Sequence, residues 1–458
     1  MTAPASAGVP PSPSSARPDK AARRALDRRS AALAVPALGA LAAEPLYVLA
    51  DTIIVGHLGR VPLAGLAVAS SALTTIAWLC GSLNQVTTTR VAQSRGADDP
   101  AARATAVRTA LAVVGALAVV VVTVLLALAP LIAHLYGPAA DVRAAAVTYL
   151  RASAIGLPAL LFSFVAVGYV NGMGRTRRVL AVVVLANALN IVLELVFVYL
   201  FHWGVAGSAW GTVIAQWTQA GLLMVDVRGA GAVMPWHGVR RADLASFLSA
   251  ATRFTVRTLC IVGVFAMAVA TAARLGTRQL AAHQIGEKLF NLLALSLDAV
   301  AVAAQVLVGE AVGAGDVNDA RRVGRHLVGR SVLVGALLGT LVAALSGVLP
   351  VPFTVDGGVR HSATGVLLLL AVLLVPGAVA FLYDGLCLGL GAYTFLQRQA
   401  LGATLVMVPV YAVLLARHSL GLPFLWAGLV AWMVARAAIQ HVWFVRGRWV
   451  AGVTRAPA

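Results

Sequence analysis

Residues Glu44 to Gly59 read EPLYVLADTIIVGHLG. The stretch places a carboxylate, Asp51, inside an apolar run with no basic residue near it in sequence. Glu44 stands seven residues earlier, two helical turns away on roughly the same face. A charged side chain at bilayer depth costs at least ~2.5 kcal/mol on insertion scales, so an intramembrane carboxylate is a functional candidate by default. The rest of the chain is read for what Asp51 binds.

Working outward, the 458 residues are 60% hydrophobic and 11% charged, with a mean hydropathy of +0.88. No soluble domain of this length has that composition. Apolar runs long enough to cross hydrocarbon as helices recur from end to end. The alternation of a membrane barrel is absent. The fold class is therefore an all-α polytopic membrane protein whose first partner is the lipid bilayer. The net charge of +18 does not point to nucleic acid. The arginines sit in short loops between apolar runs, without interleaved aromatics, which is a topology signal. Cys80, Cys260 and Cys387 lie far apart inside apolar runs and read as small buried residues.

Twelve transmembrane helices fit, in two six-helix bundles. A basic tail, 1–30, reads as disordered. The first bundle spans 31–227, a polar linker 228–246, the second bundle 247–445 and a short tail 446–458. Arginines gather in alternate loops: Arg90, Arg95 and Arg103; Arg175, Arg177 and Arg178; Arg228, Arg240 and Arg241; Arg321, Arg322 and Arg325; Arg398. This alternation predicts a multi-pass cell-membrane protein with both termini cytoplasmic. The chain also repeats itself at a constant offset of 217 residues. Leu58-Gly59 meets Leu275-Gly276, Gly96 meets Gly313, Asp99 meets Asp316, Gly172 meets Gly389 and Gly211 meets Gly428. A six-helix repeat makes the halves parallel, an arrangement that puts substrate between them.

The first half holds Glu44 and Asp51 in its first helix, Asn187, Asn190 and Glu194 in its fifth, and Thr212 and Gln216 in its sixth. Asn187, Asn190 and Glu194 share one helical face. Two carboxylates with amide and hydroxyl groups on three helices describe a small oxygen-lined cavity. Desolvation and a like-charged neighbour both disfavour a charged carboxyl, so such a pair can load and release a proton. The same oxygens suit Na+. Interhelical hydrogen bonding is the competing reading for the amides and Thr212. In the second half the intramembrane charges are read as Glu287, Lys288, Asp298 and Asp384, with Glu287 facing either a cavity or an ion pair. Pro36, fifteen residues before Asp51, removes a helix hydrogen bond and predicts a bend, either a hinge or a static kink. No HExxH, zinc spacing, Walker loop or GxSxG is present, so no enzyme chemistry and no cofactor is expected.

EPLYVLADTIIVGHLG, LAGLAVAS and VAQSRGADD, with LAAHQI, LDAVAVAAQVLVGEAVGAGD and FLYDGLCLGLGA in the second half, together resemble the multidrug and toxic compound extrusion (MATE) family in its DinF branch. The resemblance covers about residues 31–445. It implies a V-shaped pair of bundles that exports organic compounds in exchange for a cation by alternating access. It implies that Asp51 is the coupling aspartate and Pro36 the bending proline. Asn190, Glu194 and Thr212 match the other cation-site positions, with Glu194 where relatives carry Asp. The family's GxGDT motif is Gly172-Met173-Gly174-Arg175-Thr176 here, with Arg for Asp.

The sequence reading is thus an antiporter, monomeric, exporting small organic cations in exchange for H+ or Na+. The cation-coupling set is Asp51, Asn190, Glu194 and Thr212. The substrate-cavity set is Glu44, Asn187, Gln216, Glu287, Asp298 and Asp384. The rivals are a lipid-linked precursor flippase, which needs a cationic central cavity, and a membrane lipid enzyme, for which no catalytic set is visible. The midplane reads as mostly acidic, with Lys288 the exception, which disfavours the flippase.

Overall fold

The computed structural model describes residues 20–136, 139–229 and 238–450. These form helices α1 (Lys20–Gly56), α2 (Arg60–Gly96), α3 (Pro100–Tyr136), α4 (Ala140–Ala154 continued by Leu157–Gly172), α5 (Thr176–Leu200) and α6 (Gly204–Arg228). The second half holds α7 (Arg241–Arg274), α8 (Thr277–Gly313), α9 (Val317–Leu345), α10 (Gly357–Gly389), α11 (Tyr393–Ala416) and α12 (Gly421–Val445). Ten are long and apolar enough to cross a membrane, and α4, bent by 50° at its break, makes an eleventh. The twelfth, α6, has 25 residues but carries Thr212, Gln216 and Asp226.

The boundaries differ from the sequence reading at the basic ends. The tail ends before Lys20, because α1 already begins there. Asp27, on this extension, holds Arg330 and His326 of α9. The disordered reading of 20–30 is therefore corrected, and the rest of that tail lies outside the described residues. The linker is shortened by α7, which starts at Arg241. Past α12, Trp449 is buried, stacks on Phe444 and donates to its carbonyl at 3.0 Å. Apolar runs mark only the part of a helix inside hydrocarbon, so polar overhangs escape them.

The repeat is visible in the backbone. Gly59 and Gly276 take φ +117° and +114° at equivalent turns, and Gly204 and Gly421 take +56° and +63°. Left-handed φ favours glycine, which has no Cβ to clash. The halves meet where the repeat axis passes. A Cβ on Gly96 would lie 2.0 Å from the Glu310 carbonyl oxygen, and one on Gly313 would lie 1.8 Å from that of Gln93. Gln93 and Glu310 are themselves repeat mates, so the contact is reciprocal.

Hydrogen bonds continue this seam on one side only. Thr89 donates to the Leu388 carbonyl at 3.0 Å, Gln93 to that of Gly389 at 2.9 Å, and Gln305 to that of Gln85 at 2.9 Å. Arg29 and Arg95 both pair with Glu310. From mid-depth, where Thr255 donates to Ser82 at 3.1 Å, every such bond between halves lies toward the basic end, among the described residues. The bundles are latched there.

Candidate functional site

Three helices of the first half each contribute an i, i+4 pair to one polar cluster: Tyr47 and Asp51 from α1, Asn190 and Glu194 from α5, Ser208 and Thr212 from α6. Residues four apart stack on one helical face. Ser208 donates to Asp51 Oδ1 at 2.6 Å. Thr212 accepts from Asn190 at 3.2 Å, lies 3.4 Å from Glu194 Oε1 and 3.0 Å from the Tyr47 hydroxyl. Tyr149 of α4 is buried in the hydrophobic cluster that also holds Ala209 of α6, next to Ser208. The carboxyl groups of Asp51 and Glu194 thus belong to one cluster, each against a hydroxyl of α6 one turn from the other.

Local backbone features bring these groups together. Gly211 lets α6 lie against Glu194, since a Cβ there would sit 3.0 Å from its Cγ. Directly after Glu194, α5 widens into a π-turn over Val196–Leu200, a feature that recurs at functional sites. From that turn, Tyr199 donates to the Ile54 carbonyl in the last turn of α1 at 2.8 Å. Asp51 is 4% exposed and Glu194 0%. Asn190 Oδ1 and Glu194 Oε2 are buried acceptors without a hydrogen-bond partner. A cluster so enclosed, with two acceptors open, can hold a proton between its carboxyls or a small hard cation among its oxygens.

The repeat supplies an internal control. The 217-residue counterparts of Tyr47, Asp51, Tyr149, Asn190, Glu194, Ser208 and Thr212 are Val264, Ala268, Val366, Met407, Tyr411, Leu425 and Leu429. All seven are buried in one hydrophobic core. Its one side-chain polar group is the Tyr411 hydroxyl, which donates to the Val264 carbonyl at 2.5 Å, so the fold packs at this position without a carboxyl.

Other expected residues lie apart. Asn187 donates to the Ala43 carbonyl at 3.0 Å, binding α5 to α1. Gln216 packs against Gly156 at the α4 bend. Glu44 is exposed on α1. Pro36 is buried, α1 continues through both it and Pro45, and the Ala32 carbonyl that Pro36 leaves without an N–H accepts from Thr176 at 3.4 Å. The threonine of the Gly172–Thr176 motif thus caps the proline's orphan carbonyl.

The second half requires a correction. Its midplane is not mostly acidic: Asp384 is buried and accepts from Arg436 at 2.8 Å, from Gln440 at 2.7 Å, and from Arg257. Asp298 is exposed on α8, within electrostatic range of Arg257, Asp384 and Arg436. Glu287 lies 3.7 Å from buried His283, and Lys288 is exposed. None of these three acids joins the Asp51 cluster. The sequence reading missed Tyr47, Tyr149 and Ser208 in the first half and Arg257 and Arg436 in the second. The arginines carried a signal, because each interrupts an apolar run.

A model of the MatE family matches residues 36–196 and 254–424, one segment in each half. DNA damage-inducible protein F of Escherichia coli K12 is 30% identical over 437 residues, covering 92% of this chain and 93% of its own. Protein DETOXIFICATION 44, chloroplastic, of Arabidopsis thaliana is 29% identical over 443 residues, covering 93% and 82%. A crystal structure of a MATE protein in a bent conformation superposes with a TM-score of 0.85 at 20% identity, covering 94% of this chain and 97% of the other.

Proposed function

We infer that this chain, which belongs to the MatE family of multidrug and toxin transporters, exports organic cations in exchange for protons bound at Asp51. The observation that carries the reading is a pair of buried carboxyls, Asp51 and Glu194, held against hydroxyls one turn apart on α6, at a position whose repeat counterpart is hydrophobic core. Two carboxyls enclosed in one cluster need a proton or a cation to share. The hydroxyl groups of Ser208 and Thr212 lie against carboxylate oxygens, which leaves fewer lone pairs for a metal ion. That favours the proton.

Binding and release then work by differential affinity. The latched form described above places the cluster in a half that the partner bundle hydrogen-bonds, among the described residues, only from mid-depth toward the basic end. A proton at Asp51 reorganises the Tyr47–Thr212–Glu194 bonds. The helix that moves is α1, which carries Pro36, Asp51 and the Arg29 latch on one rod. A drug that binds better to the unprotonated form drives proton release, and the converse holds by linkage. The exposed carboxylates Glu44 and Asp298 give a cationic amphipath its electrostatic attraction. A second reading, an anionic or lipid-linked substrate, draws on Arg257 and Arg436. Their guanidinium groups are already directed onto Asp384, which weakens it.

The test is efflux of a fluorescent cationic dye from liposomes under an imposed pH gradient and, separately, a Na+ gradient. Proton-driven efflux that disappears in Asp51→Asn supports the reading. Efflux driven by Na+ alone replaces the proton with sodium. Movement of an anionic dye instead reverses the substrate class.

A further inference from the structure

We propose that the cleft between the amino-terminal extension of α1 and the start of α9 binds the headgroup of an anionic phospholipid. The cleft measures about 1090 Å³. Six arginines line it, Arg23 and Arg29 from α1 and Arg321, Arg322, Arg325 and Arg330 from α9, against one carboxylate, Asp319. Four of the six are already engaged. Arg29 pairs with Glu310, Arg330 with Asp27, Arg322 with Asp319, and Arg321 lies over the Trp449 ring at 5.7 Å. These contacts fix the walls. Arg23 and Arg325 are exposed and make no ion pair among the described residues, so two guanidinium groups face the opening with their donors free.

The depth of the cleft identifies the ligand. The apolar run of α1 begins after Arg29, and that of α9 begins just past Arg330. The arginines therefore sit at the edge of the hydrocarbon, where phosphodiester groups lie. The same cleft carries Leu333, 59% exposed and two turns past Arg325 on α9. A soluble phosphate has no use for that apolar wall, whereas an acyl chain below a headgroup lies along it. Basic pockets between membrane helices on one face take anionic headgroups through phosphate–guanidinium bonds. The site is separate from the Asp51 cluster, and its occupancy does not depend on which ion or drug is transported.

Native mass spectrometry of the full chain in mild detergent tests this. The probes are phosphatidylglycerol, phosphatidylcholine and inorganic phosphate, each added alone. We expect retained phosphatidylglycerol on the wild type, little phosphatidylcholine, and no protection by millimolar phosphate. The Arg23→Gln/Arg325→Gln variant should bind phosphatidylglycerol roughly twentyfold more weakly, from the contribution of each juxtamembrane arginine. Arg24→Gln/Arg398→Gln removes the same charge outside the cleft and should bind as the wild type does. A melting curve without lipid checks that each variant is folded. Equal binding by both double variants, or equal retention of phosphatidylcholine, overturns the proposal. So does displacement of the lipid by inorganic phosphate at equal concentration, which would leave a plain anion site.

Discussion

At the scale of single residues, the two halves use buried carboxylates in opposite ways, and mutation should separate them. Asp384 is locked between Arg257, Arg436 and Gln440. Asp384→Asn leaves two guanidinium groups uncompensated in the interior, a loss of about 3–5 kcal/mol for a broken buried pair. It should lower the melting temperature in detergent sharply. Asp51 makes no ion pair among the described residues and is held by the Ser208 hydroxyl. Asp51→Asn should melt at or above the wild-type temperature while abolishing driven efflux. Equal destabilisation of both variants would mean that Asp51 is a structural group. Ser208→Ala and Thr212→Ala remove hydrogen bonds to carboxylates, each about 1.5–3 kcal/mol, and should slow driven efflux roughly tenfold or more. The carboxylates were legible in the sequence because charge in an apolar run is costly wherever it sits. Ser208, Tyr47 and Tyr149 were not, because serine and tyrosine are ordinary in membrane helices, and only packing shows that three i, i+4 pairs converge. Arg257 and Arg436 were legible and were overlooked, which distorted the reading of the second half.

At the scale of elements, α1 joins the site to the latch. It carries Asp27 and Arg29 at one end, Pro36 beneath the middle and Asp51 near the other. Pro36→Ala restores an N–H to the Ala32 carbonyl and removes the need for Thr176 there. The helix should gain stability, and driven efflux should fall several-fold if bending is part of the cycle. Unaltered efflux would make the proline a static kink. Span positions were readable from apolar runs and alternating arginines, whereas helix ends were not, since overhangs are held by polar contacts between distant residues. The start of α10 shows such a contact. The Asp356 carboxyl accepts from the Val359 N–H at 3.0 Å. The backbone N–H groups of Val359 and Gly358 hold it below the usual carboxylate range. A lowered folded-state value means that this cap stabilises above the unfolded value and is lost as pH falls through the folded one. Asp356→Ala should therefore melt lower than the wild type at neutral pH. The two should converge once the medium is acidic enough to protonate the wild-type cap.

At the scale of the molecule, the repeat explains both the architecture and the location of function. The 217-residue offset predicted parallel halves, and the reciprocal Gly96–Glu310 and Gly313–Gln93 contacts place the axis between α2 and α8. What the offset left open was how the halves sit, because their register depends on long-range contacts such as the pairing of Arg29 and Arg95 with Glu310. Glu310→Gln removes both pairs. With spin labels at Arg60→Cys and Arg278→Cys, that variant should show a population with the ends opposite the latch drawn together, absent from the same label pair in the latched wild type. An unchanged distance distribution would mean that the glycine seam alone holds the closed side. The central claim is that one proton and one cationic substrate compete at Asp51. It is tested most directly by titrating purified protein with a cationic dye in weak buffer and counting protons released per dye bound. The account predicts release of close to one proton in the wild type and none in Asp51→Asn. Binding without proton release in the wild type, or the same release in Asp51→Asn, would contradict it.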